Sequence, residues 1–432
     1  MDFTNCTFRP RRWMSRRDVL RSALLSAGIV ALGPLVRGGS VALGAPKTNF
    51  KRLVVINLIG GCDTLHAVIP TGLSQYYTSR GVIAVPQANA LALNGTSLYR
   101  LHPAMPRIQG LWNSGDAASV QRVGYPTENL SHFESSDIFS YGVRNGFGSL
   151  RINKSGWVAR YADLQATSPL GAVSIGLGRP LDFVGGVTHG LSVQSLAGFQ
   201  LVGAGIDPAR IEATKSIIHN APAVGLTYDA QQALADAYDL SDQVQRALLD
   251  HNAFVATSGV TWPNTVIAGH LKDAAALIHG GFDTRLFYTG FGGFDTHVGQ
   301  GATSTAGGTL GALLAQLDGA VGAFSDEMKL LGVWDDVVIV VITEFGRRSY
   351  TNGSGTDHGH GFCELVLGGA VNGGASYGPD LTNSDLGNVT GYLAYAVDFR
   401  SVYKEILRDH LGVDPLLVFP EAMPIDTDLG LV

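Results

Sequence analysis

The chain has 432 residues, of which 45% are hydrophobic and 15% are charged. This composition is typical of a folded globular protein and excludes an intrinsically disordered one. The formal net charge of −6 leaves no excess of basic side chains, which argues against nucleic acid as a partner. Glycine is abundant, with 56 residues, and many of them fall in pairs that predict tight turns rather than a linker.

The first 44 residues have the features of an export signal. Arg16 and Arg17 precede an apolar stretch over residues 23–36, and small residues come next at 42–45. This order predicts a secretory signal, and the paired arginines specify the twin-arginine export machinery. The apolar stretch is shorter than the roughly 20 residues that span a bilayer, so we expect no stable membrane insertion after signal removal. The mature protein is therefore predicted to be periplasmic or secreted.

Removal of the signal changes the charge and the cysteine content. The whole chain has 30 basic and 36 acidic side chains, and residues 1–44 contain seven of the basic and two of the acidic ones. The remainder keeps 23 basic and 34 acidic side chains, a net charge of −11, which again disfavours nucleic acid and anionic membranes. Its two cysteines, Cys62 and Cys363, exclude a disulfide scaffold and leave either one bridge or a pair of buried thiols.

A continuous β-branched run at residues 337–342 is typical of a strand buried on both faces of a parallel sheet. Ligands of open α/β sheets bind at the carboxyl ends of the strands, so Glu344 lies where chemistry is expected. A glycine-rich loop with Asp357, His358 and His360 comes after it. Such a loop can fold tightly around a small ion, and this combination favours a metal site over an ordinary surface loop.

The same order of strand, glycines and carboxylate occurs twice more. A predicted strand at residues 53–59 is followed by two glycines and Asp63, and a strand at 286–289 is followed by glycines and Asp295. Parallel neighbours would bring both carboxylates into one crevice. His297 lies two residues after Asp295, so in an extended loop both side chains project to the same side and can hold one ion.

A further strand at residues 118–124 leads into a helix predicted to start at Ser131 or His132. The Ser131 hydroxyl either caps this helix or acts as a nucleophile at the positive end of the helix dipole. The local sequence favours the cap. Residues 145–280 are predicted to form part of the helical layer and an insertion that shapes the cleft, within a single α/β domain over residues 45–432.

Four motifs carry a resemblance to a known family. They are Gly60-Gly61-Cys62-Asp63, Ser131-His132-Phe133, Gly293-Phe294-Asp295-Thr296-His297, and Thr343-Glu344-Phe345-Gly346-Arg347 with Asp357-His358-Gly359-His360. In this order and behind a twin-arginine leader, they resemble the secreted bacterial family filed as domain of unknown function 1501, over nearly the whole mature chain. That family is similar to the alkaline phosphatase and sulfatase superfamily. The resemblance implies a three-layer α/β/α sandwich with a largely parallel central sheet, and hydrolysis of phosphate or sulfate esters at a two-metal site.

The resemblance also assigns roles to residues. The superfamily's first acid falls on Asp63, its nucleophile on Ser131, and its next acid and histidine on Asp295 and His297. Its later Asp-His pair falls on Glu344 and Phe345, where the histidine is missing.

The missing histidine leaves two alternatives. Either Asp357 or His358 replaces the lost ligand, with His360 as the last histidine of the superfamily pattern, or one metal site is weakened or absent.

The leading hypothesis is an exported hydrolase that binds one or two divalent metal ions. The predicted ligands are Asp63, Asp295, His297, Glu344, Asp357, His358 and His360. Ser131 is the predicted attacking hydroxyl, and Arg347 or Arg348 is expected to neutralise an anionic small-molecule or glycan ester. The rival is a non-catalytic secreted binding protein that keeps the fold and at most one metal, which the missing histidine favours.

Overall fold

The structure is a computed structural model that describes residues 50–143, 155–165, 169–187, 190–199, 208–220, 226–301, 308–387, 391–423 and 425–432. The predicted export signal at residues 1–44 lies outside these ranges. Within them, no helix combines the length and the apolar character that crossing a bilayer requires.

The chain divides into two compact units. One contains the described residues of Gln200–Gln243, which lie within the stretch predicted as a helical insertion. The other contains the described residues of Gly38–Phe199 and Val244–Val432. All of the predicted site residues belong to this second, larger unit.

The described residues contain the following strands: β1 (Arg52–Ile59), β2 (Val68–Ile69), β3 (Leu91–Ala92), β4 (Arg100–Leu101), β5 (Ala117–Gly124), β6 (Ala172–Ile175), β7 (Leu191–Val193), β8 (Leu286–Gly292), β9 (Val337–Ile342), β10 (Arg347–Thr351), β11 (Thr356–His358), β12 (Phe362–Leu367), β13 (Ser376–Tyr377) and β14 (Val397–Asp398). They confirm the predicted strands at the start of the mature chain and before each candidate carboxylate. The strand β8 runs three residues beyond its predicted end.

The α-helices are α1 (Thr64–Ala67), α2 (Ser74–Arg80), α3 (Pro106–Asn113), α4 (His132–Tyr141), α5 (Trp157–Gln165), α6 (Pro208–Asn220), α7 (Leu226–Ser258), α8 (Val266–His279), α9 (Gly308–Leu330), α10 (Asn383–Leu386), α11 (Phe399–Glu405) and α12 (Pro415–Val418). A π-helical turn at Ile406–His410 continues α11. The helix predicted to start at Ser131 or His132 is α4, with Ser131 as its N-cap.

One mixed sheet forms the centre of the larger unit. Its strand order is β13-β5-β12-β9-β1-β8-β6-β7, and β14 also pairs with β5. Among the described pairings of this sheet, those of β12 are antiparallel and all others are parallel. The strand β1 lies between β8 and β9, in a register that places Asn57 beside Gly290 and Ile342. The carboxyl ends of these three strands therefore meet at one edge, as the sequence predicted.

Helices cover both faces of this sheet. On one face, Leu53 and Val340 belong to a buried core with Phe139 of α4 and Trp157 of α5. On the opposite face, Leu58, Val341 and Leu365 line a small apolar cavity together with Leu314 and Leu317 of α9. Each fully buried aliphatic side chain contributes about 1.5–3 kcal/mol to this packing. The arrangement confirms the predicted three-layer α/β/α fold with a largely parallel central sheet.

The two cysteines of the larger unit are buried, unbonded thiols that line the same apolar cavity. Burial raises the pKa of the Cys62 thiol well above its ordinary value, with Asp63 adding to the effect. Because the thiolate is the reactive form, neither nucleophilic nor metal-binding chemistry is favoured at Cys62.

Candidate metal centre

The end of β1 packs directly against the loop that comes after β8. Gly60 has a positive φ of 119°, and a Cβ atom at this position would lie 2.6 Å from the backbone nitrogen of Asp295. Only glycine permits this approach. The loop that carries Asp295 and His297 is thereby fixed at the edge where β1 and β9 end.

The Arg347 side chain links the segments that follow β1 and β8 to the strand β11. It is fully buried, and its guanidinium donates to the carbonyl oxygens of Gly60, Gly61, Phe294 and Thr356. It also donates to Asp295 Oδ1 at 2.5 Å. All three guanidinium nitrogens are therefore occupied by the protein. The structure places Arg347 as the residue that holds Asp295, not as a group that faces a substrate.

Arg347 also shapes the electrostatics of Asp295. Desolvation alone would raise the pKa of this carboxyl, but the hydrogen bond from Arg347 and the charge of its guanidinium help to lower it to about 2. Asp295 is therefore a carboxylate at neutral pH, and its Oδ1 is available to a cation.

His358 lies on β11, which pairs with β10 as an antiparallel hairpin. The sequence predicted a glycine-rich loop here, so this is a correction. The hairpin turns at residues 352–355, where the Asn352 amide donates to the Gly355 carbonyl oxygen. At its open end Gly359 permits a close approach to Arg347, whose carbonyl carbon would lie 2.5 Å from a Cβ at that position. His358 Nδ1 lies 2.8 Å from the Leu130 carbonyl oxygen. A carbonyl only accepts, so Nδ1 carries the proton and Nε2 keeps a free lone pair.

His132 is the first residue of α4 and has the same arrangement. Its Nδ1 lies 2.7 Å from Glu344 Oε1, so Nδ1–H donates to the carboxylate and Nε2 keeps its lone pair. That Nε2 lies 3.7 Å from Asp295 Oδ1. The Phe345 ring packs beside the rings of His132 and His358, at centroid distances of 4.8 and 4.7 Å. A carboxylate and an aromatic ring therefore fix the orientation of His132.

His297 completes the set. Its Nδ1 lies 3.1 Å from Asp357 Oδ1, so it donates there and directs a free Nε2 lone pair inward. His297 Nε2 is 3.0 Å from His358 Nε2 and 3.2 Å from Asp295 Oδ1, and His358 Nε2 is also 3.2 Å from that oxygen. Because both Nδ1 atoms donate outward, a cation between the two Nε2 atoms can bind the lone pairs of both.

These distances fit one metal ion. A tetrahedral ion with bonds of about 2.0–2.2 Å places its donor atoms about 3.4 Å apart. Asp295 Oδ1 lies 3.2 Å from His297 Nε2, 3.2 Å from His358 Nε2 and 3.7 Å from His132 Nε2, and the Nε2 atoms of His297 and His358 are 3.0 Å apart. The ligand atoms of His132, Asp295 and His358 all lie within 4.8 Å of one another, and His297 lies beside this group of three. We call these four residues the ligand cluster.

Two of the predicted ligands contact the cluster without joining it. Glu344 is buried and accepts hydrogen bonds from the Gly60 amide and from His132. Asp357 accepts from His297 and from the Asn352 side-chain amide. Each carboxylate holds a histidine by its outer nitrogen, an arrangement that fixes tautomer and ring orientation at metal sites.

Asp63 lies outside the cluster, in a buried ion pair. Its two oxygens accept from Arg80 at 2.6 and 2.7 Å, and Gln300 Nε2 donates to the same carboxylate at 2.6 Å. Asp63 is also the N-cap residue of α1. Its carboxylate is surrounded by these donors and shielded from solvent, which describes a structural ion pair.

His360 is likewise placed apart from the cluster. Its Nε2 donates to the Tyr125 carbonyl oxygen at 2.8 Å, and its ring packs edge-on against the Tyr125 ring at 4.6 Å. Burial lowers the pKa of His360, which keeps the ring neutral. These contacts are those of a packed core histidine.

The remaining predicted residues lie at the edge of the cluster. Ser131 caps α4 through a long hydrogen bond, 3.5 Å, from the Glu134 amide, and its chain neighbour is His132. Arg348 lies over the Tyr392 ring at 4.9 Å and donates to its hydroxyl at 3.2 Å.

His132 was not among the predicted ligands, although Ser131-His132-Phe133 was one of the family motifs. The signal that could have found it is position. A histidine at the first turn of the helix that comes after a loop at the end of β5 is placed near the edge where the other strands end.

Comparisons with known proteins give a family match and remote structural likenesses. A family model described as protein of unknown function (DUF1501) matches residues 212–407. No curated protein matches the sequence.

Three solved structures illustrate the structural likeness. An alkaline phosphatase superfamily protein from Vibrio parahaemolyticus is 13% identical, with a TM-score of 0.32 over 82% of this chain and 68% of that one. The PsFucS1 sulfatase from Pseudoalteromonas sp. is 10% identical, with a TM-score of 0.35 over 89% and 75%. The phosphonate monoester hydrolase of Agrobacterium radiobacter is 11% identical, with a TM-score of 0.35 over 84% of both chains. Likenesses at this level carry no argument about activity, and the fold rests on the strand order of the central sheet.

The family match covers three of the four ligand-cluster residues, Asp295, His297 and His358, and the two arginines beside them. His132 precedes the matched segment. The resemblance predicted from the motifs is confirmed over residues 212–407, which match the family described as protein of unknown function (DUF1501).

Proposed function

We propose that this chain is an exported hydrolase of phosphate or sulfate esters that uses a single divalent metal ion held by the ligand cluster. The observation that carries the proposal is that the Nε2 atoms of His132, His297 and His358 lie 3.7, 3.2 and 3.2 Å from one atom, Asp295 Oδ1. Each histidine has a partner for its outer nitrogen, so the inner lone pairs are already directed at one point.

The donor set favours a particular class of ion. Three imidazole nitrogens and one carboxylate suit Zn²⁺ or another first-row transition ion, whereas Mg²⁺ and Ca²⁺ prefer oxygen ligands. Within the described part of the chain, one group of three or more His, Cys, Asp and Glu side chains lies close enough together to hold an ion, and it consists of His132, Asp295 and His358. We therefore propose one ion per chain, not the two that the superfamily resemblance implies.

Solvent access supports a reactive site. The four ligand side chains are between 21% and 49% exposed, with His358 the least and Asp295 the most. Structural zinc sites are normally closed, whereas reactive sites keep a route for ligand exchange. A divalent ion held there would neutralise the oxyanion of an ester and polarise its bonds to phosphorus or sulfur.

The surrounding residues would position the reacting groups. Glu344 and Asp357 keep His132 and His297 in the required tautomer, and Arg347 fixes the Asp295 oxygen. Ser131, directly before His132 and at the positive end of α4, remains our candidate for the attacking hydroxyl. Position in the chain, next to a cluster residue, is the support for this assignment.

The first experiment is metal analysis of protein that folded in the cell, combined with turnover of aryl phosphate and aryl sulfate esters. We expect about one transition ion per chain, turnover that disappears after chelation, and recovery when the ion is restored. A protein that binds no ion, or that turns over esters equally well after chelation, would refute the proposal.

A second measurement tests Ser131. The Ser131→Ala variant should lose turnover while keeping its metal, and its stability should fall by about 1 kcal/mol for the lost cap. Thr265→Ala is the matched control, because Thr265 caps α8 through a similar 3.4 Å bond from Ala268. Full activity of Ser131→Ala would exclude the hydroxyl as the attacking group.

The export route is also part of the proposal. Arg16 and Arg17 support it, and a twin-arginine route carries proteins that have already folded and taken up their metal. The doubly substituted Arg16→Lys, Arg17→Lys precursor should remain uncut in the cytoplasm. Normal periplasmic yield of this variant would refute the route.

One observation favours the rival, a secreted binding protein. If His297 binds the ion together with His132, Asp295 and His358, four protein donors would complete a tetrahedral ion and leave no open position, as in structural sites. Ion content of one per chain without any ester turnover, together with a rise in thermal stability on metal binding, would support this function instead.

A further inference from the structure

The charge of the ligand cluster limits the esters that the proposed hydrolase would accept. Its three histidines donate their outer N–H groups to Glu344, Asp357 and the Leu130 carbonyl, and they are neutral when their inner nitrogens bind an ion. Asp295 adds one negative charge. A divalent ion among these ligands therefore leaves a net charge of plus one at the centre.

The side chains that hold the ligands add no further positive charge. Glu344 and Asp357 are two carboxylates, and Arg347 and Arg348 are the two guanidinium groups whose charges act on Asp295 and Asp357. These four charges cancel. In the part of the chain that the structure describes, no other Arg or Lys forms a hydrogen bond or ion pair with the ligand side chains.

Neither arginine adds uncompensated positive charge for an ester oxygen. Arg347 is fully buried and all of its nitrogens donate to the protein. Arg348 stacks on Tyr392, donates through Nη2 to the Tyr392 hydroxyl and through Nε to the His358 carbonyl, and its charge is balanced by Asp357. The ion is therefore the main positive charge that a bound oxyanion meets.

Such a centre discriminates between one and two negative charges. The attraction between site and ligand grows in proportion to the charge of the ligand, whereas the cost of removing the ligand from water grows with its square. Doubling the charge thus doubles the attraction and quadruples the desolvation cost. Asp295 and Asp357, whose charges are already included in this balance, are 49% and 51% exposed beside the centre.

We propose that the site selects singly charged tetrahedral esters, namely phosphodiesters or sulfate monoesters, over doubly charged phosphate monoesters. This selection rests on the proposed function for its chemistry, but it is a property of the charges at the centre and can be measured by binding alone.

The experiment uses the full mature chain loaded with Co²⁺, whose visible absorption reports ligands at the ion. Three probes share one phenyl group: phenyl sulfate and phenyl methyl phosphate carry one negative charge, and phenyl phosphate carries two at pH 8, because its second pKa is about 6. We expect both singly charged probes to bind at least about tenfold more tightly than phenyl phosphate. Equal or tighter binding of phenyl phosphate, or no binding of any probe at millimolar concentration, would overturn the inference.

Asp357→Asn provides the matched variant, because it removes one negative charge and keeps an oxygen that can accept from His297. With metal content verified, phenyl phosphate should bind several-fold more tightly to this variant while phenyl sulfate changes little. An unchanged preference would show that charge at the centre is not the cause, which overturns the inference.

Turnover of the same probes separates this inference from the proposed function. Preferential binding of single charges without hydrolysis would refute the hydrolase and leave the selection intact. Hydrolysis of all three with equal affinities would do the reverse. If the protein both hydrolyses esters and prefers singly charged ones, the relative turnover of phenyl sulfate and phenyl methyl phosphate identifies which ester is the better substrate.

Discussion

Asp63 and Asp295 occupy equivalent places in two similar segments. Each comes after a strand and two glycines, each precedes a threonine, and their strands are parallel neighbours. Yet Asp63 is fully buried in an ion pair with Arg80, whereas Asp295 is half exposed and belongs to the ligand cluster.

The two carboxylates differ in the chain segment directly C-terminal to each of them. After Asp63 the chain turns at once into α1, and α2 places Arg80 against it. After Asp295 no helix forms; the His297 amide donates to the Asp295 carbonyl oxygen, and this tight turn leaves the His297 Nε2 atom 3.2 Å from Asp295 Oδ1. The same pattern of strand, glycines and carboxylate thus contributes to packing at Asp63 and to the ligand cluster at Asp295. The segment that follows each carboxylate determines which role it has.

The largest effect should come from Arg80→Met. This change leaves the Asp63 carboxylate buried without its cation, and breaking such a pair costs about 3–5 kcal/mol of unfolding free energy. Urea unfolding measures it. Arg107→Met is the control, because its pair with Asp326 is about half exposed and is expected to contribute less than about 1 kcal/mol. The double variant Arg80→Met, Asp63→Leu should recover part of the loss, and no recovery would contradict the ion-pair explanation.

Next is Asp295→Asn, which keeps an acceptor for Arg347 but removes the charged ligand. We expect ion affinity to fall by about 100-fold or more, while the free energy of unfolding of the metal-free protein changes by less than about 1 kcal/mol. Competition with a chromogenic chelator measures the affinity. Asp326→Asn, at similar exposure and remote from the cluster, should bind the ion normally. If Asp295→Asn retains full affinity, the two carboxylates do not differ as proposed.

A smaller effect should result from Glu344→Gln. The amide oxygen can still accept from His132, but the loss of charge weakens this histidine as a ligand, and such outer partners typically change ion affinity about 10–100-fold. Asp357→Asn should have a weaker effect on ion affinity, because solvent screens the exposed carboxylate. The same competition assay compares the ion affinities of the two variants. A larger loss of affinity in Asp357→Asn would contradict the expectation that the buried carboxylate has the stronger influence on its histidine.

The smallest effect should come from Thr356→Val, on the Asp63 side of the comparison. The fully buried Thr356 hydroxyl donates to Gln300 at 2.8 Å, and Gln300 in turn donates to Asp63. Loss of this bond should cost about 1 kcal/mol of unfolding free energy. Although Thr356 immediately precedes Asp357, the ion content should be unchanged. A loss of metal would show that the surroundings of Asp63 and the ligand cluster at Asp295 are coupled.

Regular periodic segments were predictable from the sequence. The run at residues 337–342 became β9 with every side chain buried, and the helix after residue 131 began at His132. Each of these segments has its own spacing of apolar residues, and these residues are buried on folding. The local sequence was therefore sufficient to predict the element.

The part of the site that could be anticipated was the pairing of Asp295 with His297, which are two residues apart, although a tight turn and not the expected extended chain brings them together. The carboxylates Glu344 and Asp357 were found at the right edge but proved to hold histidines by their outer nitrogens. A carboxylate's role as ligand or as partner depends on which atoms lie within hydrogen-bonding distance, about 3 Å, and sequence spacing does not contain that distance.

What the amino-acid sequence determined by itself was the set of strands, their glycine-rich ends and the edge at which polar side chains would gather. The packing of distant segments decided the rest. Arg80 pairs with Asp63, the Tyr125 carbonyl oxygen accepts from His360, and α4 places His132 near Asp295. These pairings join residues 17 to 235 positions apart. Their physical basis is that buried charges and polar groups must find partners in three dimensions, and which partner is nearest is fixed only when the sheet and both helical layers have packed.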